Sequence, residues 1–338
     1  MLGFLRTLLG EPSPTRMRAA APEWVTLGRG DRFHLAASLR QVHGFPIVDW
    51  AKVQAWVDAM PDAERAAAWT ACERAWLLHF RDALGAAFHL DESERAAVLS
   101  SLEPRPARAS LDFMSRSARR IGAVLDGIAQ FPPWGKDILI AFDDDESYYR
   151  YVACYYPERG EFAFSGGMCI NTGCTHYVTV KNDLRQMEAT VVHEMTHGSV
   201  AHLPLPLWLN EGLAVNTERR LAGAAPGRHT PEQMHEKHRR FWSVLSIQAF
   251  WSGQSFLEPG EANMLSYDLA RILIEQLARD WPAFTRFVQN AKHDDAGAAA
   301  AHEHLGLDLG ELVTTLLERD TPKSWSPNPV NWRSDESV

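Results

Sequence analysis

The chain has 338 residues, 46% of them hydrophobic and 23% charged, the balance of a globular protein with room for two domains or for one with a large extension. A net charge of −9 argues against nucleic acid, which needs clustered Lys and Arg, so no nucleic-acid partner is expected. No stretch approaches the ~18 unbroken apolar residues of a membrane span.

Residues 1–10 are apolar, but they lack a basic flank ahead of the apolar part and Arg6 interrupts them, so they make a poor signal peptide. A cytoplasmic protein is the expectation. Residues 11–22 read as a linker, giving an N-terminal segment over 1–23. Residues 24–132 are expected to form a helical domain. Val53, Trp56 and Val57 recur at helical spacing, as do Trp69, Trp76, Leu77 and Phe80 within residues 62–84. Asp91 is positioned to cap a third helix ending at Leu102. Pro104 and Pro106 break the pattern, and residues 109–130 resume it. Twelve Trp predict a substantial aromatic core or aromatic-lined clefts.

The composition changes after Pro133, and residues 133–320 are expected to form a second domain. Residues 137–142 read as a buried strand and 148–156 as a helix. The acidic run Asp143, Asp144, Asp145, Glu146 lacks the spaced Gly and terminal Glu of a calcium loop and reads as helix-capping carboxylates. Residues 162–164 and 176–181 read as strands, and 185–202 and 207–221 as helices. Thr230 followed by Pro231 opens a helix expected to reach Leu245. Residues 248–260 read as irregular. Helices are expected over 261–279, 281–291, 296–304 and 308–318, with a loosely held tail over 321–338. The fold class is therefore α+β and mainly helical. The cysteines are Cys72, Cys154, Cys169 and Cys174; Cys169 and Cys174 could pair, or could bind a metal with other ligands, but reduced, partly buried thiols are the plainer reading.

One stretch, residues 191–218, carries the chemistry. His193 and His197 are four apart and share one helix face, so they can bind one metal ion. Glu194 follows the first of them and can reach water at that metal. A third protein ligand leaves a position open, as in catalytic zinc sites, and Glu211 is the candidate. Leu184, Met187, Val191 and Val192 form an apolar stripe ahead of the motif, which argues for a buried helix rather than a solvated one. A buried cluster of such polar groups needs a partner, and a metal supplies one.

Together, His193-Glu194-Met195-Thr196-His197 and Trp208-Leu209-Asn210-Glu211-Gly212-Leu213-Ala214 resemble the gluzincin metallopeptidases. In that clan the ligands are the two motif histidines and a glutamate on the next helix. The second segment is similar to the glutamate-bearing segment of the zinc aminopeptidases, though thirteen residues between His197 and Glu211 make a shorter spacer, more similar to small bacterial peptidases of the clan. The resemblance spans roughly residues 137–320. It implies a gluzincin-like core with one zinc per chain, held by His193, His197 and Glu211, and Glu194 as base. It implies a second acid supporting a ligand at Glu218, and a transition-state tyrosine, for which Tyr267 is the candidate beside an ordinary helix tyrosine. His229, His235 and His238 compete for that role. Asn210 either holds substrate backbone or caps its helix. Gly166-Gly167-Met168-Cys169-Ile170 resembles the Gly-x-Met-Glu-Asn edge strand of the aminopeptidases, with Cys169 where the amine-binding Glu stands.

These residues predict a zinc peptidase acting on peptide or protein substrates. An endopeptidase is expected, because Cys169 cannot neutralise a free amino terminus unless its thiol ionises. An aminopeptidase is the alternative. A metal-binding regulatory protein that docks a protein partner through its N-terminal helical part is a third reading, disfavoured by the intact base Glu194.

Overall fold

In a computed structural model of the protein, residues 19–27, 30–156, 166–223, 229–319 and 325–332 are described. Two strands set the architecture. β6 (Ala96–Ser100) is buried at every position, and β7 (Asp137–Phe142) at all but its first. Strand side chains point alternately to opposite faces, so a strand buried throughout requires a layer on each side. Ala96, Val98, Leu139 and Ala141 accordingly join one core, and Ala97, Leu99, Ile138, Ile140 and Phe142 join another.

The strands belong to a five-stranded sheet completed by β5 (His89–Glu92), β8 (Gly167–Ile170) and β9 (His176–Val180), in the order β5-β6-β7-β9-β8. The inner pairs β6–β7 and β7–β9 are parallel, and both edge strands are antiparallel. Helix α3 (Pro104–Val124) makes the first parallel crossover. Helix α4 (Asp145–Val152) lies within the second. Asp144 caps α4, accepting from the Ser147 amide at 2.7 Å.

One face of the sheet is covered by two hairpins, β1 (Trp24–Thr26) with β2 (Arg32–His34) and β3 (Leu39–Val42) with β4 (Phe45–Val48), and by α1 (Trp50–Asp58), α2 (Asp62–Leu84) and α4. Phe45, Phe80 and Phe142 pack there against Tyr151, and Trp76 donates from Nε1 to the Pro46 carbonyl at 3.0 Å. The other face carries α3 and the site helices α5 (Leu184–Val200) and α6 (Leu207–Leu221). Beyond them pack α7 (Pro231–Phe241), α8 (Ser246–Ser252), α9 (Gln254–Leu257), α10 (Glu261–Leu277), α11 (Trp281–Asn290), α12 (Ala298–Leu305) and α13 (Leu309–Leu317).

Several expectations are corrected. The helix expected from Asp91 to Leu102 is the hairpin β5–β6; Asp91 pairs with Val98 in mid-strand. The short apolar run 96–100 is buried on both sides of a sheet, which periodicity alone does not separate from a buried helix. Pro104 and Pro106 open α3 instead of breaking it, because proline's missing N–H is no loss in a first turn. The hairpins within residues 24–48 carried no strand expectation. Residues 248–260 are mostly helical, in α8 and α9, broken at Gly253 with φ 88°. The helix from Thr230 stops at Phe241. The sheet straddles the division expected at residue 132, since β6 and β7 pair across it. In the tail, Trp325 is buried, and Gln248 accepts from the Asn328 amide at 2.9 Å and from Trp332 Nε1 at 3.1 Å. The strand expected at 162–164, the segment 1–10 and most of the 11–22 linker lie outside the described residues. Among the described residues no helix is long and apolar enough to cross a membrane.

Candidate metal centre

Helix α5 starts at Asp183, whose carboxylate accepts from the Gln186 amide at 3.0 Å. Its apolar face, Met187, Val191 and Met195, enters the core shared with α3. That burial turns His193, Glu194 and His197 towards α6 and the sheet edge. Three glycines permit the close packing. A Cβ on Gly167 in β8 would stand 2.3 Å from Thr190 and 3.3 Å from the Glu194 side chain. One on Gly198 would stand 2.7 Å from the Tyr177 hydroxyl, and one on Gly212 2.6 Å from Ile274. Trp208 anchors the start of α6, donating to the Ala296 carbonyl at 3.0 Å.

The two imidazoles are fixed through their outer nitrogens. His197 Nδ1 lies 2.9 Å from Asn210 Oδ1, and His193 Nδ1 lies 3.0 Å from Glu218 Oε2. An amide oxygen and a carboxylate only accept, so both rings carry hydrogen on Nδ1. In the neutral rings the Nε2 atoms are then lone pairs. Both face Glu211 Oε2, at 3.3 Å from His193 and 3.5 Å from His197. That oxygen is buried and has no hydrogen-bond partner. A cation between the three would satisfy acceptors that meet in this way.

Charge-assisted N–H···O bonds run about 2.7–2.9 Å, shorter than either contact. Donors around a tetrahedral zinc with bonds of ~2.0–2.1 Å stand about 3.4 Å apart. The two distances to Glu211 match that spacing, and all three candidate ligand atoms lie within 4.8 Å of one another. Burial would raise Glu211, but His197 and His193 outweigh it and hold this carboxyl far below the usual range. Burial would lower both histidines, but Glu211 holds them above their ordinary value, with Glu218 adding to the effect on His193.

Glu194 and Tyr267 line the same cleft of about 550 Å³ as the three ligands. Burial pushes the Glu194 carboxyl up, opposed by the two imidazoles and by the Cys169 backbone N–H. Tyr267 comes from α10, and burial, then the Glu211 and Glu194 charges, push its phenol above the usual range. Gly167, Met168 and Cys169 line the cleft along β8, the sheet edge among the described residues; Gly166 lies just before that strand. His229, His235 and His238 line a neighbouring cavity instead. His238 is engaged there, its Nε2 donating to Asp268 at 3.0 Å and its Nδ1 accepting from Trp242 at 3.0 Å. Sequence reasoning missed Asn171, Phe256 and Asn263, which complete the cleft. Asn263 donates to the Phe256 carbonyl and so ties α10 to α9. No motif marks these residues; only the fold brings α9 and α10 to the cleft.

No known protein-family model matches the chain, and no curated protein matches it.

Proposed function

We propose that the protein is a zinc-dependent peptidase on a gluzincin-type core, and an endopeptidase. One observation carries the reading: the buried, unpartnered Glu211 Oε2 facing two imidazole nitrogens whose protons are committed elsewhere, beside the carboxylate of Glu194. His193, His197 and Glu211 would hold one zinc per chain. Zinc supplies there a Lewis acid that polarises a carbonyl and makes water a stronger acid. The side chains do the proton chemistry. Glu194 takes a proton from the attacking water and delivers it to the leaving amine. The Tyr267 phenol, kept protonated, donates a hydrogen bond to the developing oxyanion. β8, at the sheet edge, offers an extended substrate a strand to lie along.

Endopeptidase activity follows from the acids on hand. Among the described residues Glu194 and Glu211 are the only carboxylates lining the cleft, and both are committed. Burial raises the Cys169 thiol, so it stays neutral and cannot pair with a substrate ammonium. The four free cysteines suit a reducing compartment, which supports a cytoplasmic location.

A single set of measurements tests the reading. Purified protein should carry about one zinc per chain, lost in His193→Ala or His197→Ala. It should cut an internal peptide bond, and the N-acetylated form of that peptide at least as fast as the free form. Glu194→Gln should keep the metal and lose the cutting. Folded, metal-free protein overturns the zinc assignment, and strict dependence on a free amine turns the endopeptidase into an aminopeptidase.

A further inference from the structure

We propose that the cavity beyond Tyr267 is a second binding site, which takes an acidic segment of the polypeptide substrate on one flank of the bond that is cut. The identity of this occupant rests on the peptidase reading. The cavity, about 690 Å³, lies among α6, α7, α10 and α13 and exceeds the metal cleft in size. Tyr267 lines both spaces, which puts the cavity next to the metal cleft. Met234, Met264 and Leu316 give the cavity an apolar lining.

Its charge is one-sided. Arg219 and the imidazoles of His229 and His235 line it, and among the described residues no carboxylate pairs with Arg219. Asp268 is the one acid in the lining among the described residues, and it is occupied. It accepts from His238 at 3.0 Å and from the Arg271 guanidinium at 2.7 and 3.0 Å. Glu318, 3.8 Å from His235, is held by Arg239 at 2.9 Å. Among the described residues the lining thus holds Arg219 with no carboxylate partner, and no acid other than the occupied Asp268. An acidic side chain complements that surface, and a basic one is repelled.

The helix sets the scale. Arg219 follows Glu211 by eight residues on α6, about 12 Å along the axis. An extended peptide covers ~3.3–3.6 Å per residue, so the acid sits about three or four residues from the cut bond.

The test uses the full zinc-loaded chain and its Glu194→Gln variant. The probes are peptides with one internal cleavable bond that differ only in a Glu, Gln or Lys three or four residues to either side. On Glu194→Gln, fluorescence anisotropy should show the Glu peptide binding about tenfold tighter than the Lys peptide. Adding Arg219→Gln should erase the preference, and adding Arg219→Glu should reverse it. Cleavage by the wild type without charge preference overturns this site and leaves the peptidase reading standing. Charge-selective binding that Arg219→Glu reverses, with no peptide cut by the wild type, supports the site and removes the peptidase reading. A preference indifferent to both Arg219 variants overturns the site.

Discussion

Asn210 and Glu218 decide the state of the two imidazoles, because each accepts a hydrogen bond from an Nδ1–H, and in the neutral rings that leaves Nε2 bare towards Glu211. His193, Glu194 and His197 were readable in sequence because their spacing lies within one helix, and Glu211 because its segment is distinctive. Glu218 was expected, from the resemblance, to support a ligand, but that Asn210 meets a ring, and which ring each meets, was not readable, since sequence only places them on α6. Tyr267 had to be chosen among four candidates, because nothing local shows which downstream helix returns to the cleft. Its phenol faces two carboxylates and stays protonated, the state in which it can donate. Tyr267→Phe removes that donor and leaves the ring. We expect kcat for peptide cleavage to fall about 10²–10³-fold, the range for losing one oxyanion donor, with zinc content and melting temperature unchanged. An unchanged kcat would reduce Tyr267 to a packing residue.

Between elements, the contact that sets Glu211 against Tyr267 is the crossing of α6 and α10. Gly212 allows it: an added Cβ would stand 2.6 Å from Ile274 and 2.9 Å from the Ala270 carbonyl oxygen, and backbone cannot step aside. Asn216 fastens the same crossing, donating to the Arg271 carbonyl at 3.0 Å. Gly212→Ala should therefore cost about 1–3 kcal/mol, the usual toll of overpacking, read as a lower urea midpoint at unchanged m. A second element contact predicts a pH effect. Glu73 on α2 is buried; Trp69 Nε1 donates to it at 2.7 Å and the Lys136 amide at 3.0 Å. Burial raises its carboxyl from 4.5 to about 7, against the pull of those donors. The folded state thus holds the proton more tightly than the unfolded chain. The stability this brings is complete below about pH 4.5 and is lost as pH rises to about 7, on the order of 3 kcal/mol in all. Denaturant titrations from pH 4.5 to 8 should show that decline in the wild type and a flatter profile in Glu73→Gln. Equal slopes in the two proteins would place the titrating group elsewhere.

At the scale of the whole molecule, the class was legible and the partition was not. Helices α2, α5, α6, α10 and α11 stand close to their expected bounds because each carries an apolar stripe, and α5 and α11 also begin at a capping aspartate. β5 and β6 were hidden because an Ala-rich apolar run of strand length serves a buried helix equally well. Missing them made residues 24–132 look like a separate helical domain. In the structure β6 pairs with β7 from Ala96↔Asp137 to Ser100↔Ala141. Helix α3 packs Leu111, Met114 and Ile121 into the same core as Met187, Val191 and Met195 of the metal helix. The Gln130 amide also donates to the Ser199 carbonyl at 2.7 Å, tying the end of that segment to α5. A fragment of residues 133–319 would keep all the proposed metal ligands. It would leave one edge of β7 unpaired and strip the apolar back of α5, the kind of exposed edge that folded proteins avoid. The proposed metal site thus depends on residues outside that fragment, although its proposed ligands lie within nineteen positions, 193–211. We expect residues 19–332 to melt cooperatively and to bind one zinc. Residues 133–319 should aggregate, or stay soluble without near-ultraviolet circular dichroism and without stoichiometric zinc. A cooperative melt with one tightly held zinc in the shorter fragment would restore the two-domain partition and remove residues 24–132 from the architecture of the site.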